Sequence, residues 1–164
     1  MQTEKTAIDL AELHKASTAG LCFICEFLKG NRDFKHHVIH ESESAVAFLS
    51  RFPTLFGYTI VAPKRHVEQV TGDFSEQEYV ELQRFIYRVG EAIRNVLKPE
   101  RLYILSLGSQ SANAHVHWHI APLPAGIPLE HQQYHALMHE YGIVATCEND
   151  QLDFIRRVQA ELED

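Results

Sequence analysis

The sequence lacks the features that most often assign a chain to a membrane or to nucleic acid. No stretch approaches the roughly 20 consecutive apolar residues of a membrane span, and MQTEKTAIDLAELHKAS has no apolar core of the signal-peptide type. Positive charge is scarce: 15 Lys and Arg face 22 Asp and Glu among 164 residues, a net charge of −7. Such a chain disfavours non-specific binding to nucleic acid or anionic lipid. We therefore expect a cytoplasmic protein with neither a membrane nor a nucleic-acid partner.

Cysteine is scarce too, and only Cys22, Cys25 and Cys147 are present. A chain of this length buries roughly two thirds of its unfolded surface, so it can form a core without disulfides. The sequence shows no internal repeat, low-complexity tract, obvious linker or Gly-rich phosphate-binding P-loop. We expect one domain over residues 1–164, with a helical C-terminal extension from about residue 126. In the cytosol the cysteines should stay reduced unless a metal holds them.

Hydrophobic patterning predicts an α+β fold. Short apolar runs indicate strands at 36–41, 44–50, 57–63, 101–108 and 114–122. Ser75 forms a capping box with Glu78 and begins a long helix that ends at Lys98 and Pro99. Apolar residues recur every three or four positions along this helix and predict one buried face: Tyr79, Leu82, Ile86, Val89, Ile93 and Val96. Further helices are predicted over Ala7–Ala16, 129–142 and Gln151–Leu162. The long helix between the third and fourth strands fits a largely antiparallel five-stranded sheet with peripheral helices.

Residues 113–124, NAHVHWHIAPLP, place histidines at alternate positions 115, 117 and 119. On a strand these side chains share one face, while Val116, Trp118 and Ile120 share the other and can cover a core. His115 and His119 would lie about 13 Å apart at about 3.3 Å per residue, too far to bind one metal together. A neighbouring pair could share a metal. A row of imidazoles beside a phosphate could instead supply a nucleophile, a proton donor and a charge partner.

HVHWHIAP and GYTIVAPKRHVEQV resemble the two signature segments of the histidine-triad (HIT) family, and the resemblance runs from about Cys22 to Leu123. It implies a HIT-like fold, a homodimer, and a small nucleotide substrate cleaved at its α-phosphate. On this chain the resemblance makes His117 the nucleophile of a nucleotidyl-histidine intermediate, which water then hydrolyses. His119 would stabilise charge on the phosphate oxygens, and His115 would orient the site or bind a metal.

Cys22-x-x-Cys25 indicates either a zinc half-site or a redox pair. A redox pair would need a βαβ context, which the pattern does not show. Bacterial-type HIT members that resemble this chain complete a zinc site with the histidine after Pro-Lys-x and the first triad histidine. Here those are His66 and His115, so the resemblance implies a closed Cys₂His₂ structural zinc. Two buried thiols without a metal are the alternative.

The chain departs from the family pattern at several positions. Ser50 stands where an Asp or Asn would bind the ribose hydroxyls, and Tyr58 stands where histidine is frequent. Leu123 replaces an arginine that many relatives carry after the triad. The polar loop before the triad suits contacts with a phosphate, and its candidate substrate-binding residues are Gln110, Ser111 and Asn113.

Other histidines are interpreted as residues without a catalytic or metal-binding role. His131, His135 and His139 recur every fourth residue on the predicted 129–142 helix, and we interpret them as a solvated or dimer-facing stripe. Two of them could share a metal, but no cysteine or carboxylate pattern completes a site. Near the first strand, surface positions are expected for His36, His37 and His40.

The leading hypothesis is a HIT-type nucleotide hydrolase or nucleotidyl-transferring enzyme. Its substrate would be a dinucleoside polyphosphate, such as diadenosine tetraphosphate, or a nucleoside phosphoramidate. A zinc-stabilised nucleotide-binding module with little turnover is the alternative. A third possibility is a zinc hydrolase that uses His115 and His117 as metal ligands.

Overall fold

The computed structural model describes residues 4–9, 11, 20–108 and 114–163. Its helices are α1 (Phe23–Leu28), α2 (Glu76–Leu97), α3 (Tyr134–Leu137) and α4 (Glu148–Glu163). Its strands are β1 (Lys5–Thr6), β2 (Val38–Glu41), β3 (Ala45–Leu49), β4 (Thr59–Pro63), β5 (Arg101–Leu105), β6 (Trp118–Leu123) and β7 (Ile143–Val144). In the described part of the chain, no helix is long and apolar enough to cross a membrane.

The main sheet has five strands in the order β2-β3-β4-β6-β5, and every neighbouring pair is antiparallel. The predicted antiparallel α+β fold is therefore confirmed. A second, two-stranded sheet joins β1 to β7. Both β3 and β4 are buried along their whole length, because each face of the sheet is covered by other elements.

Helices α2 and α4 cover one face of the sheet. Val61, Trp118 and Ile120 pack there in one cluster with α2 and α4 residues such as Ile93 and Phe154. The prediction that Trp118 belongs to the core is confirmed, since it is 5% exposed. The opposite face is covered in two parts. Helix α1 packs over the β3–β4 side, and residues 127–137 pack over the end of β6.

Helix α2 forms as its sequence predicts. The Ser75 hydroxyl accepts the Glu78 backbone N–H at 3.2 Å, and the Glu78 carboxylate accepts the Ser75 N–H at 2.7 Å. These two bonds satisfy donors that a helix N-terminus leaves unpaired. The helix ends at Lys98, which adopts the left-handed conformation with φ 48°.

Several predicted boundaries are wrong. The fifth strand begins at Trp118 instead of residue 114, so His115 and His117 precede β6. Residues 7–9 are not helical, and the remainder of the predicted Ala7–Ala16 helix lies almost wholly outside the described residues. The last helix begins at Glu148, three residues before the predicted start.

The helix predicted over 129–142 is also wrong. The segment forms three short turns: Leu129–His131, Tyr134–Leu137 and His139–Tyr141. Gln133 has φ 53° and Met138 is extended with ψ 133°, so the backbone leaves the helical region twice. Ala136 is buried against the sheet.

Candidate active site and metal centre

Two cysteines and two histidines converge near the end of β4 and the start of β6. Cys22 caps α1 and accepts the Cys25 backbone N–H at 3.4 Å. The Cys22 Sγ lies 3.4 Å from His115 Nδ1, and the Cys25 Sγ lies 3.3 Å from His66 Nδ1 and 3.6 Å from His115 Nδ1. All four candidate ligand atoms lie within 4.8 Å of one another. This cluster could hold a metal ion.

The partners of the two imidazoles determine which ring nitrogen is free for a metal. His115 Nε2 lies 2.9 Å from the Pro63 carbonyl, and His66 Nε2 lies 3.2 Å from a Glu68 carboxylate oxygen. Both oxygens accept, so each Nε2 carries the proton and donates it. In a neutral ring Nδ1 then keeps its lone pair, and the Nδ1 atoms of both residues lie beside the thiols. Metal-binding histidines commonly have such an outer hydrogen bond.

The spacing of the donors fits zinc. A tetrahedral ion with Zn–S of about 2.3 Å and Zn–N of about 2.0 Å sets sulfur and nitrogen about 3.5 Å apart. The three observed sulfur–nitrogen distances run from 3.3 to 3.6 Å. Without a cation, burial and the neighbouring Cys22 raise the pKa of the Cys25 thiol to about 11. A divalent ion would compensate two thiolates there, so the donor chemistry also suits a metal.

His117 lies next to this cluster but is not one of its four grouped residues. It is 3% exposed, and its ring meets the edge of Phe23 at a centroid distance of 5.9 Å. Its Nδ1 lies 2.7 Å from the His115 carbonyl, so Nδ1 donates and Nε2 keeps an unprotonated lone pair. Burial lowers the pKa of His117 from its ordinary value. Ser106 donates its hydroxyl to the His117 carbonyl at 2.7 Å and fixes the backbone.

His119 continues the row on β6, opposite Ile60 of β4. Its ring lies 4.8 Å from that of His117 and meets Tyr58 edge-on at 5.7 Å. Burial and the neighbouring His117 lower the pKa of His119 to about 4, so its ring is neutral at physiological pH. Among the described residues, its buried Nδ1 has no hydrogen-bond partner. The ring also hydrogen-bonds to the Leu107 backbone, so in the neutral form Nε2 donates and the unpaired Nδ1 can accept a hydrogen bond from a ligand.

The structure describes some of the residues that the sequence linked to substrate binding, but not all of them. Ser50 follows β3, and its hydroxyl accepts the Phe52 backbone N–H at 3.2 Å, so it stabilises its own turn. Leu123 is fully buried inside the sheet. The predicted contacts of Gln110, Ser111 and Asn113 lie outside the described residues.

The three histidines of the 129–142 segment do not form one helical stripe. His131 and His135 stack at 4.6 Å, and His135 stacks on Tyr141 at 3.6 Å. His139 is separate and donates Nε2–H to the Phe52 carbonyl at 3.0 Å. It is close enough to His119 for its charge to lower the pKa of that ring further.

Several residues around the row were not predicted as contributors from the sequence. Phe23 borders His117, Ser106 fixes its backbone, and Tyr58 borders His119. His36, expected at the surface, packs 4.6 Å from Phe48, and burial lowers its pKa to about 4. Only Tyr58 carried a sequence signal, as a departure from the family pattern.

Comparison with known proteins assigns the family. The HIT domain model matches residues 31–125. A HIT-like protein of Mycoplasma genitalium is 32% identical over 112 residues, 65% of this chain and 75% of that one. The adenosine 5'-monophosphoramidase of Schizosaccharomyces pombe is 29% identical over 106 residues, 63% of this chain and 74% of that one.

A solved structure extends the comparison beyond the matched segment. A zinc-bound histidine triad family protein of Mycobacterium smegmatis shares the fold with a TM-score of 0.66 at 20% identity, over 90% of this chain and 95% of that one. Sequence and fold agree, and the chain belongs to the HIT family.

Proposed function

We propose that this chain is a nucleotide hydrolase or nucleotidyl-transferring enzyme that acts at an α-phosphate. The observation that carries the proposal is the contact between His117 Nδ1 and the His115 carbonyl. The Nδ1 donates to this carbonyl at 2.7 Å, and this bond directs the lone pair of Nε2 away from the backbone. A nucleophilic imidazole needs such a free, oriented nitrogen.

In the proposed reaction, His117 Nε2 forms a bond to the α-phosphorus, and the bond from phosphorus to the leaving group breaks. The leaving group keeps the electron pair and takes up a proton. Water then attacks the nucleotidyl-histidine, releases the nucleoside monophosphate and restores the imidazole. The ring of His119 lies beside this centre and would donate a hydrogen bond from Nδ1 to a phosphate oxygen once that nitrogen takes up a proton.

The substrate class follows from the relatives and the site together. We propose a dinucleoside polyphosphate or a nucleoside phosphoramidate, and the phosphoramidase named among the relatives favours the second. Ser50 remains a candidate ribose contact, and Gln110, Ser111 and Asn113 remain candidate phosphate contacts. A homodimer and a cytoplasmic location stay predictions.

Cys22, Cys25, His66 and His115 would hold zinc, which supplies a structural link here. It would connect α1 to the segment that carries the triad. His117 is not one of the four grouped ligands among the described residues. The geometry therefore favours a structural zinc over a zinc hydrolase that uses His115 and His117.

The test is intact-mass spectrometry after a brief acid quench with diadenosine tetraphosphate or an adenosine phosphoramidate. Wild type should gain one adenylyl group, and His117→Ala should not. His135→Ala, a substitution in the His131–His135–Tyr141 stack, is the matched control and should gain it like wild type. Nucleotide binding without any mass gain or product would instead support the binding-module alternative.

A further inference from the structure

Tyr58 is fixed beside the triad by packing on two sides. Its ring meets His119 edge-on, with centroids 5.7 Å apart and planes at 73°. It also belongs to an apolar cluster with Leu55, Ala121 and Ala136, and it is only 9% exposed. Residues 127–137 therefore hold the ring against the sheet, next to His119.

Among the described residues no hydrogen bond of the Tyr58 hydroxyl is found, and this oxygen is not one of the fully buried atoms that lack a partner. The ring of Tyr58 contacts that of His119 at a centroid distance of 5.7 Å, so the triad borders this side chain. The Nδ1 of His119 is buried and unpaired among these residues. A buried, unpaired imidazole nitrogen beside the ring of Tyr58 indicates a place where a polar ligand can bind.

We propose that the Tyr58 hydroxyl donates a hydrogen bond to a phosphoryl oxygen of the substrate held beside His119. The inference rests on the proposed function, because it takes a nucleotide as the ligand. It adds a substrate-contacting residue at a position where the family pattern has histidine in many members.

The chemistry of phenol determines what this contact can do. Burial raises the pKa of Tyr58 well above its ordinary value, so the hydroxyl keeps its proton throughout the neutral range. It can donate a hydrogen bond but cannot release a proton to a leaving group. The contact therefore stabilises phosphoryl charge, and its strength should not change with pH across the working range.

Tyr58→Phe tests the proposal because it removes only the hydroxyl and retains the ring. Tyr103→Phe is the matched control, since the Tyr103 hydroxyl accepts the Gln133 backbone N–H at 3.0 Å. We would measure kcat and KM with an adenosine phosphoramidate from pH 6 to pH 9, and the Kd of AMP by calorimetry. Tyr58→Phe should lower kcat/KM about tenfold, mainly through kcat, and weaken AMP binding severalfold. The shape of its pH profile should match that of wild type.

Other results of these measurements would contradict the proposal. The proposal is wrong if Tyr58→Phe stays within twofold of wild type in both kcat/KM and AMP affinity. It is also wrong if Tyr103→Phe loses as much, because the effect would then be one of general structure. Turnover and binding separate the two proposals. If wild type binds AMP without turnover, the proposed reaction is wrong. The effect of Tyr58→Phe on AMP affinity then tests the Tyr58 contact by itself. If wild type binds no AMP, both proposals fail.

Discussion

Replacing Cys25 by serine is the most direct perturbation of the metal centre. The Cys25 Sγ lies within 3.6 Å of both candidate imidazole ligands, His66 and His115. Its removal leaves three donors and deletes one of two thiolate charges. Cys147→Ser is the matched control, because Cys147 is exposed and its Sγ only accepts the Asp150 backbone N–H at 3.4 Å.

The magnitude follows from linkage. An ion that binds only the folded state stabilises it by about 2.7 to 4.1 kcal/mol at 100 to 1,000 times its Kd. In a chain of this size, about 1 kcal/mol shifts the Tm by roughly 2–4 °C. Loss of the ion should therefore lower the Tm by about 10 °C.

The assay combines metal analysis with calorimetry, with and without a chelator. Wild type and Cys147→Ser should each contain about one zinc per chain and lose about 10 °C on chelation. Cys25→Ser should contain almost no zinc and should not respond to the chelator. A wild-type Tm that ignores the chelator, or a Cys25→Ser variant with full zinc, would refute the reasoning. Below the lowered Tm, the chelated protein should keep its turnover, whereas a zinc hydrolase would lose it.

Three further predictions concern the fold. Ser75→Ala should cost about 1 kcal/mol through loss of the capping box, seen in calorimetry as a Tm decrease of roughly 2–4 °C; an unchanged Tm would contradict it. Gly57→Ala should lower the urea midpoint more than Gly126→Ala, because both have positive φ but only the Cβ at Gly57 would come within 2.8 Å of a leucine methyl; equal losses would speak against this. Burial lowers the pKa of His36 from 6.5 to about 4, so the unfolded state binds more protons and stability falls as the pH drops through that range. His36→Leu should flatten this decline in urea titrations more than His37→Leu, and identical slopes would disprove it.

The sequence predicts what depends on local patterns. The Ser75 capping box and the apolar period of α2 are both present as expected, because each needs only residues within a few turns. The alternation around Trp118 also predicts the core face correctly. The grouping of Cys22, Cys25, His66 and His115 came from the family resemblance, since these residues are far apart in sequence.

The failures depend on contacts that no local pattern contains. Residues 129–142 have helical spacing, yet the burial of Ala136 and the positive φ of Gln133 divide them into separate turns. His36 looks like a polar residue before a strand, but Phe23, Phe27 and Phe48 surround it after folding. In both cases tertiary packing overrides the local preference.

The three histidines of the row differ in their position relative to the start of β6. His115 and His117 precede the strand and His119 lies on it, and each ring hydrogen-bonds to a backbone group. His115 donates an Nε2–H hydrogen bond to the Pro63 carbonyl, and its Nδ1 lies beside the thiols. His117 donates an Nδ1–H hydrogen bond to the His115 carbonyl, and its Nε2 carries the lone pair. A carbonyl accepts and never donates, so these two contacts set which nitrogen each neutral imidazole leaves free, Nδ1 in His115 and Nε2 in His117. Alternation in the sequence aligns the imidazoles, but the folded backbone selects the nitrogen that each one can use.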